Sequence, residues 1–462
     1  MAGRPRRARA LTVWMNGERV GEWSGSASDI TRFTYDVAWW ASPNARPLSL
    51  SMPRLPGDAA HRGAHVTAWF ENLLPDAPDI RERLRKRFAV RSTEALDLLA
   101  AIGRDCVGAV QLLPPDEVPP PIRVIDAIPL ADGDVAARLR TVTSGPPLGG
   151  AMTGTEPFRI SIAGAQEKTA LLWHDGRWHE PRGATPTTHI LKLPLGFVGN
   201  MRADMQHSVE NEWLCLRLLS LWGLPAARAE IATFADAVSA ERVLVVERFD
   251  RRPQRDPSGA VQWIARLPQE DLCQAFGRSR DEKYEADGGP GIADIMRLLA
   301  RSSNAEDDTH TFVLAQLANW LLAAPDGHAK NYSVFLTRDG YAMTPLYDVL
   351  SAWPIIGTGP NEWAEQDVTL SMGLRGKRVH RELRRIATRH WRALAVQSGV
   401  AGMFDGMQAF VERAEGALDA MAGELPAAFP PGIWERIASG VRRQCERFRM
   451  GLQLGEETKE VT

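Results

Sequence analysis

The stretch Pro325-Asp326-Gly327-His328-Ala329-Lys330-Asn331 lies between a run of helical character and a run that alternates like a strand. Phosphoryl transfer on a kinase-like fold needs an Asp to orient and deprotonate the attacking hydroxyl, and an Asn five positions later to hold a divalent cation. Asp326 and Asn331 have that spacing. Alone the pair carries little weight, because loops also use Asp and Asn for turns. Its meaning depends on what stands around it.

Downstream, Pro345-Leu346-Tyr347-Asp348 follows a hairpin turning at Asp339-Gly340, which can fold Asp348 back towards Asn331. Asn331 and Asp348 would then offer amide and carboxylate oxygens, the donors that Mg²⁺ prefers. Asp348 also precedes Val349-Leu350-Ser351, where it could instead cap a helix. His328, inside the loop, is read as a supporting residue that buttresses it by hydrogen bonds.

Upstream, Ala163-Gly164-Ala165-Gln166-Glu167-Lys168 sits in a strand-turn-strand context over Phe158 to Trp173. Small residues let backbone N–H groups approach phosphate oxygens, although with one glycine instead of three the segment by itself reads first as a plain hairpin turn. Lys192 lies in the apolar strand Ile190-Leu191-Lys192-Leu193, where an ammonium is costly to bury without a negative partner. The nucleotide α- and β-phosphates would serve, with a helical Glu to orient the lysine. Glu212 is the first candidate and Glu210 the second; a lysine on an edge strand reaching solvent is the alternative. Val243 to Asp250 ends the strand-rich part, and Glu247, Arg248 and Phe249 could present backbone to an adenine edge. Turn, strand Lys, helix Glu, connector, Asp-x4-Asn and later Asp occur in the order that phosphoryl transfer on this fold requires.

The chain has 462 residues, 44% hydrophobic and 24% charged, with a net charge of −2. That length suits two to four domains with substantial cores, and the charge balance excludes a polycation built to coat nucleic acid. Four scattered cysteines form no C-x-x-C pair. No secretory signal is apparent, and no apolar run approaches the roughly 18 residues of a membrane span. A cytoplasmic protein without a membrane partner is expected.

Leu11 to Trp23 reads as a hairpin turning at Asn16-Gly17, and helical patterns follow over Val66 to Arg87 and Ser92 to Ile102. The prolines between Leu113 and Ile122 suggest a boundary. Strands are expected at Thr188 to Leu193, Ala229 to Phe234 and Arg242 to Glu247, with a helix over Ser208 to Leu221. After Arg252 the chain reads as long helices interrupted by one hairpin, Tyr332 to Leu336 and Tyr341 to Leu346. The tryptophans, such as Trp213, Trp320 and Trp391, match apolar helix faces and are read as core. A strand-rich block followed by a helix-rich block implies an α+β, two-lobed architecture.

These residues resemble the HipA family, the serine/threonine-kinase toxins of HipBA toxin–antitoxin modules. The matching strings are 161–172, 187–194, 246–252, 266–273, 284–292, Asp326-Gly-His-Ala-Lys-Asn331 and Pro345-Leu-Tyr-Asp348. In the N-terminal block they are 46–51, Glu71-Asn-Leu-Leu-Pro-Asp76 and 102–109. The resemblance implies a kinase-like fold in three parts: an N-terminal subdomain (11–122), a strand-rich lobe (123–252) and a helical lobe (253–455). It implies ATP and Mg²⁺, with Asp326 as catalytic base, Asn331 and Asp348 as metal ligands, and Lys192 on the phosphates. It also implies Ala163 to Lys168 as phosphate loop, Glu247 to Phe249 as adenine connector, and nucleotide contacts from His328, Lys330 and Tyr347. Ser161 matches a serine that family members phosphorylate on themselves, ejecting the phosphate loop; a plain strand residue is the other reading.

The family's best-known target is glutamyl-tRNA synthetase, so an aminoacyl-tRNA synthetase is the expected substrate and growth arrest or persistence the outcome. Its partners are a HipB-like helix-turn-helix antitoxin dimer and operator DNA. Arg375, Lys377, Arg378 and Arg381 begin a basic segment reaching Arg392, which could bind DNA phosphates or be a solvated helix face. Pro325 stands where the family would have Thr. A small-molecule kinase and an inactive scaffold remain the competing readings.

Overall fold

In a computed structural model the described residues are 9–26, 29–143, 166–198 and 203–460. Ser161, Ala163, Gly164 and Ala165 lie outside them, as does the first strand expected near Phe158.

Strands β1 (Arg9–Met15) and β2 (Glu18–Ser26) form the hairpin expected at Asn16-Gly17. Both turn residues are left-handed, at φ 45° and 81°, matching the twist of the strands they join. β3 (Asp29–Tyr35), β4 (His61–Arg62) and, later, β5 (Val110–Leu113) complete a sheet ordered β4-β3-β2-β1-β5. Helices α1 (Ala64–Glu71), α2 (Pro78–Arg87) and α3 (Ala95–Ile102) accompany it. Trp23, Phe33, Trp69 and Phe70 fill its core, with the Trp23 and Phe70 rings stacked at 3.9 Å.

The single helix expected over Val66 to Arg87 is therefore two. Pro75 lacks an N–H and disfavours helical geometry at Leu74, so the chain must turn there. Buried Arg81 secures the turn, donating from Nε to the Pro75 carbonyl at 2.6 Å and pairing with Glu71.

The next layer contains β6 (Ala127–Pro129), α4 (Asp132–Thr143), β7 (Lys168–His174), β8 (Arg177–Pro181) and β9 (His189–Lys192). After a small hairpin of β10 (Gly196–Val198) and β11 (Ala203–Met205) come α5 (Ser208–Leu221), β12 (Ala229–Ala235) and β13 (Ala240–Glu247). The sheet order is β12-β13-β9-β7-β8-β6. Strand alternation divides its side chains. Leu191, Val243 and Val245 cluster with Val135 and Leu139 of α4, while Leu244 and Val246 join the core containing α5.

The remainder comprises β14 (Arg251–Arg255), β15 (Val261–Arg266), β16 (Gln269–Asp271), α6 (Leu272–Ala275), α7 (Ile292–Leu299) and α8 (Ala305–Leu322). β17 (Ser333–Leu336), β18 (Tyr341–Met343), β19 (Thr369–Arg375), β20 (Val379–Glu382), α9 (Thr388–Ser398), α10 (Met403–Glu424) and α11 (Pro431–Glu460) follow. α8 runs through the largest core, and Trp213, Trp320 and Trp391 are buried there. Gly440 of α11 abuts the Trp353 ring so closely that a Cβ would collide with it. Gly440→Ala is expected to cost about 1–3 kcal/mol through overpacking, read as a lowered denaturation midpoint.

Two features differ from the sequence reading. Beyond Arg252 the chain forms the hairpins β14–β15 and β19–β20 as well as β17–β18. The first turns because the Asp256 carboxylate accepts bonds from the Ser258 and Ala260 N–H groups, with Gly259 left-handed. The second carries the basic segment, so Arg375, Lys377 and Arg378 lie exposed on a hairpin and not on a helix face. No helix among the described residues is long and apolar enough to cross a membrane.

Candidate active site

β9 pairs with β13 on one side and β7 on the other, so Lys192 belongs to an inner strand and cannot be an edge residue. Alternation turns it away from Leu191, onto the face that α5 covers. There its Nζ donates to Glu212 Oε1 and to Asp348 Oδ1, both at 2.7 Å. Burial opposes a charged lysine, but the two carboxylates outweigh it and hold the Lys192 pKa above its ordinary value. Burial likewise opposes a charged Asp348, whose carboxyl is nevertheless held well below the usual range by Lys192 and Lys168. Glu212 is thus the lysine's helical partner, whereas Glu210 pairs with Arg242.

Asp348 adopts φ 59°, a strained conformation for a non-glycine residue that persists only where the surroundings enforce it. No helix begins there; the following single turn, Trp353–Ile355, starts after Ala352. Its alternative role as a helix cap is excluded.

The catalytic-type loop leaves α8 through Ala323, also left-handed at φ 47°, and ends in a single turn over Ala329–Asn331. Asn331 Nδ2 donates to the Asp326 carbonyl at 2.7 Å and lies 3.5 Å from the Asp348 carbonyl. That use of the amide nitrogen leaves its oxygen as the group to present to a cation. Asp326, Asn331 and Asp348 all line one cleft of about 1080 Å³, mouth included, together with Lys168, Lys192 and Glu212.

Asp326 accepts a hydrogen bond from the Tyr284 hydroxyl at 2.7 Å, and His328 Nε2 lies 3.6 Å from the same carboxylate oxygen. Burial lowers the His328 pKa, so the ring is neutral near pH 7. It packs edge-on against Tyr284, and its buried Nδ1 has no hydrogen-bond partner among the described residues. Lys330 is also buried and donates to Asp76 Oδ1 at 2.6 Å.

The connector Glu247, Arg248 and Phe249 lines the same cleft. The Arg248 side chain, however, turns into a buried ion-pair network with Asp105 and Asp250. Tyr347 packs at 5.8 Å from Phe249 and donates to the Lys330 carbonyl. Lys168 stands opposite Lys192 in the β7–β9 register, and burial, with Lys192 nearby, lowers its pKa to about 8. Gln166 donates to the Leu193 carbonyl at 2.5 Å, and Glu167 pairs with Arg83. Arg381 and Arg375 face Glu285, at 3.0 and 3.9 Å, so part of the basic segment's charge is neutralised.

Sequence reasoning assigned no role to Asp76, Lys283 or Tyr284. Their only signal is that Asp76 and Tyr284 fall in strings quoted for the family resemblance, since neither is near Asp326 in sequence.

The family model for the HipA-like C-terminal domain matches residues 160–429, more than half of the chain, and that for the HipA N-terminal domain matches residues 11–113. The chain belongs to the HipA family. It is 34% identical over 405 residues to the protein Y4mE of Sinorhizobium fredii, covering 85% of this chain and 86% of that one. It is 29% identical over 358 residues to the serine/threonine-protein kinase toxin HipA of Shewanella oneidensis, covering 74% and 76%. Among solved structures it matches one of the Shewanella oneidensis HipA, HipB and operator DNA complex with a TM-score of 0.75. That match, at 24% identity, covers 96% of this chain and 98% of the other, and shows a common fold. The fold is thus the two-lobed, kinase-like one of HipA, and the chain is a serine/threonine-protein kinase of that family.

Proposed function

We propose that this HipA-family kinase is the growth-arresting toxin of a toxin–antitoxin pair, phosphorylating a translation protein such as glutamyl-tRNA synthetase. The observation that carries the chemistry is the shared cleft in which Lys192 bridges Glu212 and Asp348 beside Asp326 and Asn331. ATP lies with its adenine at the connector. The N–H groups of Glu247 and Arg248 are already given to the carbonyls of Arg228 and Thr188, so we assign the adenine contact to Phe249. Lys192, with Lys168 behind it, meets the phosphates.

A serine or threonine hydroxyl oxygen attacks the γ-phosphorus as the bond to the β–γ bridging oxygen breaks. The hydroxyl proton passes to the Asp326 carboxylate and ADP leaves. No group of three His, Cys, Asp or Glu side chains among the described residues could hold a metal alone. The fit to Mg²⁺ therefore rests on the Asn331 amide oxygen, the Asp348 carboxylate and nucleotide oxygens, a donor set suited to a hard cation that keeps few protein ligands. When bound, the ion would neutralise charge developing on the phosphates.

Autophosphorylation at Ser161 is the proposed off switch, because a phosphoserine beside a loop built for phosphates would compete with the nucleotide. The proposed partners are a HipB-like antitoxin dimer and operator DNA, with Arg375, Lys377, Arg378 and Arg381 on the β19–β20 hairpin as a phosphate contact. The test incubates the chain with γ-labelled ATP, Mg²⁺ and host extract, then maps the label. Label on serine or threonine of a translation protein, with growth arrest on expression without antitoxin, is the expected result. Label on small molecules alone would replace this reading with that of a small-molecule kinase.

A further inference from the structure

Asp76 sits in the turn between α1 and α2, in the N-terminal subdomain, yet its carboxylate lines the kinase cleft. Lys330, inside the Asp326–Asn331 loop, donates to its Oδ1 at 2.6 Å, and Lys283 to its Oδ2 at 3.1 Å. Each lysine leads back to Asp326. Lys330 shares the short loop. Lys283 is followed by Tyr284, whose hydroxyl holds the Asp326 carboxylate, and the Lys283 carbonyl accepts the Ala329 N–H at 3.2 Å.

The turn that carries Asp76 is built rigidly. Buried Arg81 ties the Pro75 carbonyl and Glu71, Arg280 donates to the Asp76 carbonyl at 3.2 Å, and Asn72 Nδ2 donates to the Arg278 carbonyl at 2.9 Å. The carboxylate cannot retreat without moving these groups. An ammonium has three donors, so one spent on Asp76 leaves two for a phosphoryl oxygen.

Building on the kinase reading, we infer that Asp76 is a positioning residue for phosphoryl transfer, supplied by the N-terminal subdomain, which holds Lys330 and the Lys283–Tyr284 pair against the Asp326 loop. The subdomain then belongs to the reaction machinery. It completes the reaction site, and a kinase lobe pair without it would bind nucleotide but transfer phosphate slowly. A displacement of reacting groups of about 1 Å can cost about 10²-fold in rate, which sets the size of the effect.

The experiment uses the full chain with γ-labelled ATP, Mg²⁺ and host protein extract as acceptor, and compares wild type with Asp76→Asn, Asp76→Glu and Asp326→Asn. Turnover at saturating ATP, KM for ATP and affinity for a non-hydrolysable ATP analogue are measured, with thermal melting alongside. Asp76→Asn is expected to lose about ten- to hundredfold in turnover while KM and analogue affinity stay within about threefold. Asp76→Glu, which restores the charge, recovers part of the rate. In a Lys330→Met background, Asp76→Asn costs less than it does in the wild type, because only the Lys283 arm is left to lose. The inference is overturned if Asp76→Asn turns over within about twofold of wild type while Asp326→Asn is inactive. It is equally overturned if turnover, analogue affinity and melting temperature fall together, as a merely structural bridge requires, or if the two substitutions add in full. A wild-type chain that transfers no phosphate from ATP would remove the underlying kinase reading with it.

Discussion

Asp326→Asn is expected to lower the rate of phosphoryl transfer by about 10²–10⁴-fold, the span that a positioned general base contributes. The substitution preserves shape, and the amide oxygen can still accept the Tyr284 hydroxyl bond that Asp326 Oδ1 accepts at 2.7 Å. What is lost is the basicity that takes the proton from the attacking hydroxyl. Lys192, Glu212 and Asp348 are untouched, so nucleotide affinity should change by no more than about twofold, and the loss should appear in turnover and not in KM. Steady-state kinetics with γ-labelled ATP, paired with equilibrium binding of an ATP analogue, reads both quantities. A variant retaining a tenth or more of wild-type turnover would show that another group accepts the proton.

The largest effect on stability is expected at Asp105, between α3 and β5. Its carboxylate accepts bonds from Arg251 Nη2 at 2.9 Å, Arg266 Nε at 3.2 Å and the Thr187 hydroxyl at 2.7 Å, and it also pairs with Arg248. The Asp105 side chain is 4% exposed and each of the three guanidinium side chains 2%. Burial pushes the carboxyl pKa up, but the three arginines dominate and hold it well below its usual range. Asp105→Ala would leave buried Arg266 without its counter-charge and Arg248 and Arg251 sharing Asp250 alone, a change that costs about 3–5 kcal/mol. Asp58→Ala, which breaks the exposed Arg54–Asp58 pair at 2.9 Å, should lower the midpoint far less, because solvent screens such a pair. Denaturation midpoints measured side by side decide the matter: equal shifts in the two variants would mean that the buried network contributes no more than a surface pair. Since Asp105 belongs to the N-terminal subdomain, while Arg248 lies in the connector and Arg251 and Arg266 beyond it, the same variant should expose the subdomain boundary to limited proteolysis.

Both predictions concern contacts between distant parts of the chain, and there the sequence and the structure differ in what they disclose. The Asn16-Gly17 turn, the extent of α5 and the alternation of β13 are set by forces acting over a few residues. Left-handed φ values and apolar periodicity are written locally, and they read correctly. Lys192, Glu212, Asp326, Asn331 and Asp348 each belong to a short pattern that sequence can single out, and the fold brings all five to one cleft.

Tertiary structure alone decided the rest. Which of Glu210 and Glu212 meets Lys192 depends on how α5 lies across the sheet, and two neighbouring glutamates give no hint of it. Arg248 sits in the connector by sequence, yet its guanidinium belongs to a buried network assembled from three regions of the chain. Neither hairpin at Arg251 to Arg266 nor at Thr369 to Glu382 is legible from alternation, because β14 is crowded with arginines and β19 is buried on both faces from Leu370 to Leu374. Asp76 and Lys330 are 254 positions apart, and only the packing of one subdomain against the cleft of another brings their charges to 2.6 Å. Local chemistry specifies elements and the residues able to react; burial and packing decide which of those residues meet, because that outcome is a property of the whole core and of no single segment.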